Sequence, residues 1–224
     1  MPWWPTQCRV ISPGSRPSRG TLKSTESEGL RVLGIGGGLA SGKSTVALLF
    51  AKRGIPVLVL DDLSRELSEK GKPLWRAIVC VFGRSFLDAR GALQREKLAR
   101  VVFRRWRMLF MLNQFAHPML FFEAWRRLRG FRKEWVALEG AVLFEAGFCP
   151  LLSKLLFVDA PLDLRLRRLQ AKGVREKDAR DRLKAQRFVS CLRRRASRVI
   201  ENTSSLDFLE QQVSSLLEDL SFWK

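Results

Sequence analysis

Apolar residues recur along this chain in two rhythms. Short unbroken runs read as buried strands, and longer stretches spaced three and four apart read as helices. Val32, Leu33 and Ile35 form the first run. VALLFAKRG follows, with Val46, Leu49 and Phe50 on one helical face and a stop at Gly54, a natural residue for the turn after a helix. PVLVL (Pro56 to Leu60) predicts a second buried strand, closed by Asp61 and Asp62. LWRAIVCVF sets Leu74, Ala77, Ile78, Val81 and Phe82 on one helical face, and a turn follows around Asp88 to Gly91. Helical spacing then runs from Gln94 to about Ala116, and Pro118 starts a further helix to about Lys133.

Three more apolar runs predict strands: WVALE (Trp135 to Glu139), LLFVD (Leu155 to Asp159) and RVIEN (Arg198 to Asn202). Between the last two, Pro161 opens a helix to about Lys172, and another covers Asp178 to Arg195. The final helix buries Leu206, Leu209, Val213, Leu216, Leu217 and Leu220, with Ser204 and Asp207 as its cap. Strands that alternate with helices predict an α/β fold, a five-stranded parallel sheet flanked by helices. No internal repeat interrupts the pattern.

Two insertions stand out. Residues 71–133 are too many for a simple crossover and predict a helical substrate lobe; residues 165–195, dense with arginine, predict a lid. The core then comprises about 30–70, 134–164 and 196–224. Residues 1–29 are rich in Pro, Ser, Gly and Arg without a periodic apolar face, and read as a disordered leader ahead of a domain at 30–224.

Charge narrows the partners. Lys and Arg number 41 against 22 acids, a formal net charge of +19, which favours polyanions: nucleotides, nucleic acid or an acidic membrane surface. Cys8, Cys80, Cys149 and Cys191 lack metal-ligand spacing and suit a reduced, cytoplasmic protein. No apolar run approaches the roughly 18 residues of a membrane span.

The chemistry concentrates in GIGGGLASGKST, directly after the first apolar run. Gly37, Gly42, Lys43 and Ser44 supply G-x-x-x-x-G-K-S, and a strand precedes and a helix follows, as a phosphate-binding loop requires. Backbone N–H groups of Gly37, Gly38, Leu39, Ala40, Ser41, Gly42, Lys43, Ser44 and Thr45 are the expected cradle for the phosphates of ATP. Lys43 would reach the β- and γ-phosphates, and the Ser44 hydroxyl would ligate Mg²⁺.

Beyond this loop an ordered set of short blocks resembles the dephospho-coenzyme A kinase family. GIGGGLASGKSTVA, VLVLDDLSRE, EKGKP, Phe82–Gly83, GALQREKLARVVF, His117–Pro118, VLFE, RLKAQ and ASRVIEN are similar to that family's motifs in order, from Val32 to about Leu220. The resemblance implies a P-loop kinase that phosphorylates the ribose 3′-hydroxyl of dephospho-coenzyme A, with ATP and Mg²⁺ and no specific nucleic-acid or membrane partner, acting as a monomer. It also implies site residues. Asp61 would be the general base and, with Lys43 and Arg65, catalytic, Arg65 holding the anionic groups of the substrate. Arg167, Arg182 and Asn202 would lie on the nucleotide side.

Departures accompany the resemblance. Val59 stands where the second strand commonly carries a first acid, leaving Asp61 with Asp62 unmatched beside it. Ala141, Val142 and Leu143 replace Pro-Leu-Leu after Glu139, where Asp is usual. Ala171 stands where an Arg is expected and Ser197 where an acid is expected. Plainer roles compete at each position: a helix N-cap for Asp61, a surface or Asp61-paired arginine for Arg65, a turn for Glu139, structure for Asp159, packing for His117. The stripe Phe103, Trp106, Phe110, Phe115, Phe121, Phe122 and Trp125 reads first as core or lobe surface. The alternatives are another small-molecule or nucleoside kinase of this fold, or a nucleic-acid-binding P-loop ATPase using the clusters at Arg104, Arg126 and Arg193.

Overall fold

The computed structural model describes residues 30–186 and 189–223; the leader assigned to 1–29 lies outside them. Five parallel strands run in the order β2-β3-β1-β4-β5: β1 (Arg31–Gly37), β2 (Val57–Val59), β3 (Trp135–Glu139), β4 (Lys154–Asp159) and β5 (Arg198–Glu201). Their apolar runs are unbroken because both faces are covered. Val32, Val136, Leu138, Leu155 and Phe157 point into one cluster, whereas Leu33, Ile35, Ala137, Leu156 and Val158 point into the other. Helices α1 (Lys43–Lys52) and α9 (Leu206–Glu218) cover the second face, with the short α10 (Leu220–Trp223) beside them.

The first face is covered by α2 (Leu60–Leu67) and the C-terminal half of α5 (Trp106–Leu128), through Leu60, Leu63, Leu120, Ala124 and Leu128. The N-terminal half of α5 packs instead with α3 (Pro73–Phe82) and α4 (Arg95–Val102) around Leu74, Ile78, Phe86, Leu98 and Val102. One 23-residue helix thus joins the lobe to the sheet. After β4 come α6 (Leu162–Ala171), α7 (Glu176–Ala185) and α8 (Val189–Arg195).

Several expected boundaries move. Pro118 lies inside α5, and the helical run breaks earlier, where Arg105 is extended (φ −126°, ψ 94°). An interior proline costs about 3 kcal/mol, and the apolar side chains on either side of it offset that by burial in both clusters. Beta-strand β2 ends at Val59, so Asp61 and Asp62 stand in the first turn of α2, where the helix dipole favours acids. The single helix expected over 178–195 ends at Ala185, and Gln186 leaves it to meet the phosphate-binding loop. Val81 and Leu206 are exposed, and Ser205, not Ser204, caps α9 by accepting from the Phe208 N–H at 3.3 Å.

Candidate active site

The loop after β1 is built from outside as well as from its own sequence. Gly42 holds φ 100°, and a Cβ there would lie 1.9 Å from Asn202 Nδ2. That amide is in turn fixed, donating to Ser41 O at 2.8 Å. Helix α1 begins without a side-chain cap, leaving its first N–H groups open to an anion. Lys43 is buried, and its ammonium donates to Gly38 O at 3.0 Å, bent back over the loop. Burial pushes its pKa down, against the pull of Glu139 and Asp61.

Two arginines of α6 brace the same loop. Arg165 donates from Nε to Leu39 O at 2.8 Å, and Leu39 N–H donates to Gln186 Oε1 at 2.7 Å. Arg168 donates to Ala40 O at 3.3 Å, to Ser41 O at 3.2 Å and to Asn202 Oδ1 at 3.1 Å. Asn202 therefore lies against the loop. Arg167 does not: it is exposed, one position out of phase with the face that meets the loop. Arg182 is half-buried one turn before Gln186, and among the described residues no hydrogen bond or ion pair ties it to the loop. The signal that would have found Arg165 and Arg168 is helical phase. Leu169 is the buried residue of α6, and the side chains that flank it toward β1 are fixed only once the sheet order is known.

Opposite Lys43 lies an acid cluster. Glu139 pairs in register with Ile35 on one side and Val59 on the other. The chain leaving β1 becomes the phosphate loop, and the chain leaving β2 reaches Asp61, so both flank Glu139 at the carboxyl edge of the sheet. Glu139 is 2% exposed and its Oε2 lacks a hydrogen-bond partner among the described residues. Burial pushes its carboxyl up to about 7, with Lys43 opposing and Asp61 adding to the rise. Asp61 and Arg65 are exposed, and Arg65 pairs with Asp62 at 3.5 Å rather than with Asp61.

This donor set fits a magnesium ion that arrives on a nucleotide. No group of three or more His, Cys, Asp or Glu side chains among the described residues makes a metal cage. Mg²⁺ ordinarily takes one or two carboxylates plus substrate phosphates, and the exposed Ser44 hydroxyl and the unpartnered Glu139 carboxylate match that need. Elsewhere the bland roles hold. Asp159 receives Arg193 at 2.8 Å and the Ala160 N–H at 2.9 Å. His117 Nδ1 donates to Glu145 O at 3.1 Å, tying α5 to the loop after β3, and burial lowers its pKa. Of the aromatic stripe, Phe115 and Phe121 pack inward, whereas Trp106 and Phe122 are 69% and 66% exposed.

Known proteins match this arrangement along its length. The family model described as dephospho-CoA kinase covers residues 31–207. A dephospho-CoA kinase of Corynebacterium diphtheriae is 37% identical over 191 residues, 84% of this chain and 96% of that protein. Among solved structures, TT1252 from Thermus thermophilus superposes with a TM-score of 0.71 at 34% identity, over 86% of this chain and 99% of the other. Dephospho-CoA kinase from Campylobacter jejuni shares the fold, with a TM-score of 0.59 at 22% identity over 85% and 96% of the two chains.

Proposed function

This chain belongs to the dephospho-CoA kinase family, and on that premise we propose a division of the reaction among its residues. The chain is a kinase that uses ATP to phosphorylate dephospho-coenzyme A, at the ribose 3′-hydroxyl, giving coenzyme A. The reading of the site rests on one observation above the others: Lys43, Glu139 and Asp61 converge on the carboxyl edge of β1, β3 and β2.

The β- and γ-phosphates lie along Gly37 to Thr45, and Lys43 swings from Gly38 O to meet them. Phosphate charge supplies the partner that burial denies this lysine, so the ammonium is held protonated during transfer. Asp61 accepts the proton of the 3′-hydroxyl or orients it for in-line attack on the γ-phosphorus, while Arg65 holds the acceptor. Ser44 and Glu139 would hold Mg²⁺, Glu139 directly or through water, and the bound ion would supply positive charge against the phosphates. Arg168 and Asn202 fix the outer side of the loop, and Arg165 with Gln186 forms the lid contact over Leu39. Arg182 lies on the same lid and turns toward the phosphates on closure. The helical lobe at 71–133 carries the acceptor, and the chain works as a monomer in the cytoplasm.

The test is an acceptor panel. Purified chain with ATP and Mg²⁺ should turn over dephospho-coenzyme A and not shikimate or free nucleosides at comparable rates. Dephospho-coenzyme A should still raise the melting temperature at 200 mM salt, where binding to DNA by exposed arginines alone has fallen steeply (by orders of magnitude from about 50 mM). ATP hydrolysis stimulated by DNA at that salt, with no response to dephospho-coenzyme A, contradicts the assignment.

A further inference from the structure

Helix α2 carries Asp61, Ser64 and Arg65 at i, i+3 and i+4 on one face, away from the buried Leu60 and Leu63, and the buried Ser68 closes its C-terminus. Arg95, the first residue of α4, meets that face. Its guanidinium donates to Ser64 O at 3.3 Å and to Ser68 Oγ, whose hydroxyl is itself held by Ser64 O at 2.8 Å and Arg65 O at 2.9 Å. Two guanidiniums are thereby brought to the same turn of α2, beside Asp61.

The two guanidiniums leave positive charge without a close carboxylate. The Arg95 guanidinium reaches the C-terminal turn of α2, where the dipole favours a cation, but a dipole end does not neutralise a full charge. Arg95 has no carboxylate within ion-pair distance among the described residues, and Arg65 has only the exposed Asp62 at 3.5 Å. Arg127, on the other side of α2, shows the contrast: it is closed by Glu66 at 2.6 Å and Glu123 at 2.9 Å. Desolvation and the neighbouring Arg65 both lower the pKa of Arg95, with Asp61 opposing. A ligand bearing two adjacent negative groups would relieve all of this at once, since planar guanidiniums take phosphate oxygens in pairs.

We propose that Arg65 and Arg95 form one anion site that takes the 5′-diphosphate of the acceptor and so presents its 3′-hydroxyl to Asp61. Arg65 lies one helical turn from Asp61, about 5.4 Å along the axis, which is comparable with the span across a ribose from its 3′-oxygen to its 5′-phosphate. The proposal rests on the acceptor assigned above and adds Arg95, a residue from the lobe, to the group that selects it.

Two measurements on the full chain test it. Inorganic pyrophosphate, titrated calorimetrically with the nucleotide loop filled by a non-hydrolysable ATP analogue, should bind wild type and bind Arg95→Gln roughly ten- to a hundredfold more weakly, the range for a lost charge-assisted hydrogen bond. This arm stands whatever the acceptor proves to be. In steady-state kinetics Arg95→Gln should raise KM for dephospho-coenzyme A by a similar factor with KM for ATP within about twofold, and Arg95→Lys should recover part of the loss. Ser68→Ala removes the brace and leaves the guanidinium, so it should leave both constants near wild type. Equal pyrophosphate affinity in wild type and Arg95→Gln overturns the site. So does a Ser68→Ala effect as large as that of Arg95→Gln, because Arg95 would then be a brace between helices. Wild-type chain that ignores dephospho-coenzyme A but shows the pyrophosphate difference would refute the acceptor and keep the site.

Discussion

The two sides of the proposed site are built differently. On the nucleotide side Ser41, Lys43 and Asn202 are buried, and the carbonyls of Leu39, Ala40 and Ser41 are each taken by a side chain from elsewhere in the chain. On the acceptor side Asp61, Arg65 and Arg95 are exposed. Electrostatic catalysis depends on groups fixed before charge develops; on the side proposed for the nucleotide the loop backbone is fixed in this way in the free chain, and Lys43 alone has to move. On the proposed assignment, the acceptor side would gain its order from the substrate, whose binding energy serves for positioning. Disturbing the first side should therefore strike transfer and ATP together, and disturbing the second should separate them.

The largest effect is expected at Lys43. Lys43→Ala should lower transfer by roughly a thousandfold or more. Its charge is buried in the free chain, so the melting temperature should move by no more than roughly 4 °C, what about 1 kcal/mol produces at this size. Near-normal turnover, or a collapse of the fold, would break the view of a prebuilt cradle waiting for charge.

Arg168 sharpens the comparison from the lid. Arg168→Ala removes hydrogen bonds to two loop carbonyls and to Asn202. It should raise KM for ATP about tenfold and leave KM for dephospho-coenzyme A nearly unchanged. Arg167→Ala, one position along and exposed, should do neither. Equal effects would mean that the loop is not held from outside.

That pair also marks how far the sequence could be read. The five strands and the phosphate loop were legible because both are local or periodic: alternation of runs for the strands, glycine spacing before Lys43 for the loop. The order β2-β3-β1-β4-β5 was not, because it is set by packing between distant segments. Asn202 was singled out only through the resemblance of ASRVIEN to the family, and the structure places it against the loop. Arg165 and Arg168 were not legible, because in a chain with 41 basic residues the phase of a helix against the sheet decides which arginine turns inward. The break before α5 was hidden for a related reason. Pro118 is the stronger local signal, and burial on both sides of it overrides that signal in the folded chain.

A smaller effect should appear in stability against pH. Folding raises the Glu139 carboxyl from 4.5 to about 7, so between those values the folded chain keeps a proton that the unfolded chain releases. Stability of the free chain should fall as pH rises through that window, by about 3 kcal/mol at most. Glu139→Gln should remove that slope, read by denaturant melts at pH 5 and pH 8. An unchanged slope in the variant would show that Glu139 is already ionised and satisfied. Smallest of all is Asp62→Asn, which loses only a surface pair with Arg65 whose partners are 70% and 71% exposed, an interaction of about 0–1 kcal/mol. Turnover should be nearly unaffected.

The division between the two sides is tested most directly at Asp61, by measuring ATP affinity and turnover on the same preparation of Asp61→Asn. Turnover should fall by about two to four orders of magnitude, the range for a lost general base, while the dissociation constant for ATP with Mg²⁺ stays close to that of wild type. Loss of ATP binding with little further loss of chemistry would contradict this account, placing Asp61 with Ser44 and Glu139 on the metal and the base elsewhere.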